Sequence, residues 1–184
     1  MIAKILHSSF RTKNECSSIS EMRKLLDYSK GDISQITNID LSDNPTLSKN
    51  QQFRLLQKFM GNLSNRIYML NLAYCNLINE SKIRNIWKAL NNFETIDWFN
   101  FVQFEYDSDT LNESEGFLCV IKEEMMFNTS ILSLELFNDE TKQKQICPNI
   151  ERELQANNEI REKFPDLIGN STIKDCHTVD MKLI

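Results

Sequence analysis

Four short segments of the chain repeat one pattern of apolar and polar positions. They are Ile36-Thr37-Asn38-Ile39-Asp40-Leu41, Ile67-Tyr68-Met69-Leu70-Asn71-Leu72, Phe93-Glu94-Thr95-Ile96-Asp97-Trp98 and Ile131-Leu132-Ser133-Leu134-Glu135-Leu136. Each runs apolar-x-x-apolar-polar-apolar. The closing alternation predicts a strand with apolar side chains on one face and a polar one on the other. After each of the first three segments the apolar spacing changes to three and four residues, which predicts amphipathic helices over residues 48–62, 79–91 and 113–127. A closing helix is predicted over 148–164, from Ile150, Leu154, Ile160 and Phe164, and an opening one over 18–27, from Ile19, Met22, Leu25 and Leu26.

The strand anchors Leu41, Leu72, Trp98 and Leu136 are 31, 26 and 38 residues apart. One strand and one helix per unit, at a period of roughly 20–30 residues, is the mark of leucine-rich repeats. The expected fold is therefore an α/β solenoid of about four strand-helix units, a short relative of longer arrays. Parallel strands line its concave face, helices its convex face, and terminal helices cap both ends. The long third unit makes room for an insertion at Glu105-Tyr106-Asp107-Ser108-Asp109. Residues 16–165 then form the repeat domain, between an N-terminal segment at 1–15, open to motion, and a tail at 166–184. The alternative is an open parallel sheet with helices on both faces. Central strands of such a sheet are apolar on both sides, whereas the middle residue of every triplet here is polar.

The junctions between helix and strand add a second phrase. Asn128-Thr129-Ser130-Ile131-Leu132-Ser133-Leu134 follows the third helix, and Leu154-Gln155-Ala156-Asn157-Asn158-Glu159-Ile160 carries Leu-x-x-Asn-x-x-Ile near the end; Leu90-Asn91-Asn92-Phe93 is a looser relative. From Ile36 to Phe164 the chain resembles the ribonuclease-inhibitor-like class of leucine-rich repeats. Within it the chain is similar to the C-terminal repeat domain of the tropomodulin and leiomodin family, where a Leu-x-x-Asn-x-x-Leu phrase ends each helix. The resemblance implies a non-enzymatic scaffold and points to actin or another cytoskeletal protein as partner. The unit spacing here is less even than in that family, Trp98 stands where the family has a small aliphatic residue, and the stretch before Ile36 is shorter than its tropomyosin-binding segments.

Aligning the triplets puts Asp40, Asn71, Asp97 and Glu135 in one row across the sheet. Like charges at neighbouring places in a row repel, so the row is a candidate for holding something basic. Two residues further on, the row Ser42, Ala73, Phe99 and Phe137 places two aromatics on the same face. Exposed aromatics beside charge make binding hot spots. The six residues Asp40, Asn71, Asp97, Phe99, Glu135 and Phe137 form the expected protein-binding site, for a basic or arginine-bearing segment. The plainer reading is that the acids only keep a strand face solvated.

Composition narrows the chemistry. The 26 acidic against 21 basic residues leave a net charge of −5, the wrong sign for a duplex-binding protein. Four glycines and three prolines are too few for a β-sandwich or for Gly-rich phosphate loops. Five scattered cysteines without a CxxC pair suggest free thiols in a reducing, cytoplasmic setting. Neither a signal peptide nor a membrane span is expected. Clustered metal ligands and nucleotide motifs are missing from the sequence, so no cofactor and no metal is expected. Cys176-His177 is a nucleophile–base pair only in sequence, and Asp107-x-Asp109 lacks the rest of a calcium loop. Met60, Trp87, Met125 and Met126 are expected in the core. The leading function is a protein-interaction module without catalysis. A substrate-recognition adaptor is the variant of that reading. A small hydrolase or transferase, using groups such as Asp43 or Cys75 near strand ends, is the alternative class.

Overall fold

The computed structural model describes residues 15–28, 33–103 and 111–164. Its elements in chain order are β1 (Glu15–Cys16), α1 (Ile19–Tyr28), β2 (Asn38–Asp40), a 3-10 turn (Pro45–Ser48), α2 (Asn50–Met60), β3 (Arg66–Asn71), α3 (Glu80–Leu90), β4 (Thr95–Asn100), α4 (Leu111–Met125), β5 (Leu134–Glu135), α5 (Glu140–Ile146) and α6 (Pro148–Lys163). Strand β1 and helix α5 are additions to the elements that the sequence pattern predicts. The acidic stretch 105–109, both histidines and Cys176 lie outside the described residues.

All strands are parallel, and they stand in the sheet in the order of the chain, β1 to β5. Each crossover therefore steps one place in the same direction. With the right-handed crossover rule, a monotonic order puts every connecting helix on the same face. The helix contacts agree, because α1 packs on α2, α2 on α3, α3 on α4 and α4 on α6. A doubly wound sheet would reverse direction at a switch point, and this order contains none.

The register explains the core. Ile39, Leu70, Phe99 and Leu134 are successive neighbours across the sheet, and all four are buried. Ile67, Ile96 and Ile131 form a second buried tier. Leu41, Leu72, Phe101 and Leu136 form a third by the same register, also buried. Against these tiers the helices lay their apolar stripes, including Phe53, Leu56 and Phe59 of α2 and Ile83, Ile86, Trp87 and Leu90 of α3. Asn79 caps α3 by accepting the Lys82 N–H, and Asp139 caps α5 by accepting those of Thr141 and Lys142. On the outer surface Arg84 of α3 ties α4 down through Glu123 at 2.8 Å and Glu124 at 2.7 Å.

One strand is phased differently from the sequence expectation. The pattern apolar-x-x-apolar-polar-apolar occurs twice here in overlapping frames, from Phe93 to Trp98 and from Ile96 to Phe101. The second frame is the one the fold uses. It buries Phe99 and Phe101 against Trp87, with ring centroids 5.3–5.6 Å apart among the three, and stacks Phe101 on Phe117. Three mutually packed aromatics hide more apolar surface than the first frame offers. The anchors become Leu41, Leu72, Phe101 and Leu136, with spacings of 31, 29 and 35 residues. Trp98 is not a core residue: it stands half-buried on the outward face. Met60 and Met125 are buried as expected, but Met126 is exposed just beyond the end of α4.

Candidate functional site

The strand face away from the helices keeps two rows of side chains. By register the first row is Glu15, Asn38, Met69 and Trp98, with Ser133 next. The second is Asp40, Asn71, Asn100 and Glu135. Asn38, Asp40, Met69, Asn71, Trp98 and Asn100 are half-buried, while Glu15, Ser133 and Glu135 are exposed. Tyr68, at the start of β3, is also well exposed. Among the described residues, no helix layer covers these rows.

The structure keeps three of the six expected site residues in one row and moves the other three. Asp40, Asn71 and Glu135 line up as the alignment predicts. Asp97 falls outside the row because of the three-residue phase shift, and Asn100 takes its place. The Asp97 carboxylate is 3.0 Å from the Arg161 guanidinium of α6, so its charge is answered within the chain. Phe99 is fully buried in the aromatic cluster, and Phe137 is buried as well. The expected outer aromatic row is in fact Ser42, Ala73, Val102 and Phe137, of which the last three are buried. Neither Phe99 nor Phe137 stands on the open face.

The middle row also has a structural use that the sequence reading overlooks. Asp40 Oδ1 accepts the Ser42 N–H and hydroxyl, Asn71 Oδ1 accepts the Ala73 N–H, and Asn100 Oδ1 accepts the Val102 N–H. Each short side chain bends the backbone two residues on, as Asx turns do. Just beyond these turns Asp43 and Tyr74 adopt positive φ, 56° and 55°. Their N–H groups reach the carbonyls of Ala73 and Val102 on the next strand. With amides between them, the row's two acids stand three strand spacings apart, about 14 Å, and hardly repel.

Glu135 behaves otherwise. Its side chain is one methylene longer than that of aspartate, and it reaches diagonally to Trp98, whose indole Nε1–H donates to Oε1 at 2.8 Å. Among the described residues Glu135 makes no ion pair. It also borders a groove of about 940 Å3 between β5, α5 and α6, floored by Leu134, Phe137 and Leu154. Trp98 and Glu135 thus form an aromatic–carboxylate pair at the meeting of the open face and the groove. A sequence signal for Trp98 was present, a bulky aromatic next to a polar position, but the misphased triplet assigned it to the core.

The sheet ends at this groove. Gln143 of α5 donates from Nε2 to the Leu134 carbonyl at 2.6 Å and accepts the Leu136 N–H on Oε1 at 2.7 Å. Its carboxamide stands where a peptide group of a sixth parallel strand would stand. Asn157 and Asn158 of α6 donate to the Ile131 and Leu132 carbonyls. The edge of β5 is closed by side-chain amides.

The groups named for catalysis are differently placed. Cys75 is buried, its Sγ donates to the Leu41 carbonyl at 3.0 Å, and burial pushes its thiol up to about 12. Such a thiol stays protonated near neutral pH and is a poor nucleophile. Asp43 is an exposed turn residue. Among the described residues no group of three or more His, Cys, Asp or Glu is placed to hold a metal ion, and no helix is long and apolar enough to cross a membrane. Comparison with protein-family models, with curated proteins and with solved structures finds no match for this chain.

Proposed function

We propose that the chain is a short leucine-rich-repeat-like solenoid that works without catalysis, holding a protein partner on the open strand face. The observation that carries the reading is the uncovered face of a parallel sheet, with Trp98 and Met69 set among Asn71, Asn100 and Glu135. Parallel sheets normally bury both faces, and amides around a half-buried tryptophan supply the mixed contacts of an interface centre. The resemblance to tropomodulin and leiomodin repeats makes actin the first partner to try, in a cytoplasmic setting. Nucleic acid is a poor candidate for a chain of net charge −5.

The test uses two baits, the wild-type chain and Trp98→Ala combined with Glu135→Lys, first matched by thermal melting. Each is offered purified actin and then cell extract. A protein retained by the first bait and lost from the second is the expected result. Equal recovery by both overturns the open-face reading. In that case interest moves to the alternative of an α/β enzyme.

A further inference from the structure

We infer that Trp98 and Glu135 together form a receptor for one arginine side chain of the partner. The inference rests on the open-face reading and names the chemistry at its centre. Three observations lead to it. The indole N–H holds Oε1 of the exposed Glu135 at 2.8 Å, which fixes the carboxylate beside the ring. Glu135 has no ion-pair partner among the described residues, whereas Asp97, one residue before Trp98, already takes the guanidinium of Arg161 at 3.0 Å. Among the described residues, then, Asp97 is answered by a guanidinium and Asp40 is committed to the Ser42 turn, while the Glu135 charge is met by no cation. Finally, Glu135 borders the groove beside β5, which gives the chain flanking the arginine a place to lie.

The geometry selects guanidinium over ammonium. A planar guanidinium stacks on an indole face while its N–H fork meets a carboxylate. A lysine ammonium can do one or the other, and it is more strongly hydrated. Trp98 offers the face and Glu135 the acceptor, from adjacent strands in fixed register. Glu135 also spends nothing on the backbone, unlike Asp40, so it is free to pair without loosening a turn.

The experiment is an NMR titration of the ¹⁵N-labelled full chain. The probes are three capped short peptides of glycine and serine, identical except for a central arginine, lysine or citrulline. The chain has two tryptophans, and the fully buried Trp87 is the internal control for the Trp98 indole N–H signal. The expected result is a saturable shift of the Trp98 signal with the arginine peptide. The lysine and citrulline peptides should bind at least tenfold more weakly, and Trp87 should stay still. Glu135→Gln, at an exposed position, should abolish the response without altering the rest of the spectrum. An equal response to arginine and lysine, a response that survives Glu135→Gln, or no saturable response overturns the receptor. If the receptor fails while the capture experiment still distinguishes its baits, the open face stands as a binding surface with a different anchor. If the capture experiment fails as well, the face itself falls.

Discussion

Phe99 and Asn100 are neighbours in the chain and point to opposite sides of β4. Phe99 joins Ile39, Leu70 and Leu134 in a row that is buried throughout. Asn100 joins Asp40, Asn71 and Glu135 in a row that is half-buried or exposed. The inner row is held by area removed from water, which is non-directional and tolerates Ile, Leu or Phe at the same place. The outer row is held by directed hydrogen bonds, and there the residue type decides what is done. Aspartate and asparagine turn back to the backbone, and glutamate reaches across to an indole. Stability is thus concentrated inside, and the outer row's one member free of backbone duty marks the place for recognition.

The largest break in this comparison comes from the inner row. Phe99→Ala removes a ring that packs on both Trp87 and Phe101. It should cost about 3–5 kcal/mol, read as a lower denaturant midpoint at unchanged slope. A cost below about 1 kcal/mol would mean that the aromatic cluster is not the centre of the core. Next is the edge. Gln143→Leu leaves the Leu134 carbonyl and the Leu136 N–H without their partners. Each orphaned group costs about 1–3 kcal/mol, so a loss of at least about 2 kcal/mol is expected in denaturant unfolding. An uncovered strand edge also invites pairing between chains, so light scattering should show association that the wild type lacks.

The buried thiols give a pH test of the same inner side. Burial pushes both Cys16 and Cys75 up to about 12 from an ordinary value near 9. Below pH 9 the thiols are protonated in both folded and unfolded chains and contribute no pH dependence. Between about 9 and 12 only the unfolded chain ionises, so stability falls as pH rises, by about 1.4 kcal/mol per thiol per unit. Cys75→Ala should flatten that slope. The outer row responds less to its own test. Asn71→Ala removes the acceptor for the Ala73 N–H and should cost about 1 kcal/mol. Asn71→Asp should restore most of it, because the acceptor returns.

Much of this arrangement is legible in the sequence, and the misses have physical causes. The alternation in Ile39-Asp40-Leu41 and Leu70-Asn71-Leu72 finds the strands because period two is a strong signal over buried leucines. Helices α2, α3 and α6 follow from their apolar stripes within two residues at each end. Strand β4 slips because Ile96-Asp97-Trp98 satisfies the pattern as well as Phe99-Asn100-Phe101 does. Only packing against Trp87 separates the two frames, and that contact comes from another element. The same slip carries Asp97 into the row, sends Phe99 to the wrong face and hides Trp98. Strand β1 is two residues long, too short for any periodicity. The use of Asp40 and Asn71 in turns was open to sequence reasoning, since both residue types favour such bonds. Gln143 as a strand substitute was not, because its partners lie seven and nine residues away on another element.

The smallest effect on stability belongs to Glu135, and it is the sharpest test of the contrast between the rows. Glu135 is exposed, and among the described residues its carboxylate bonds to the half-buried Trp98 indole alone. Glu135→Gln keeps an acceptor for that N–H and removes the charge. The melting curve should therefore be unchanged within error, as for most surface substitutions. Glu135→Asp should also melt normally, yet its shorter arm cannot span the diagonal to Trp98. The Trp98 indole signal should then move toward its solvent-exposed position while Trp87 stays fixed. If Glu135→Asp instead melts lower and leaves the indole signal in place, the shorter carboxylate has turned back to the backbone. The last unit would then follow the rule of Asp40, Asn71 and Asn100, and the outer row would be structural along its whole length.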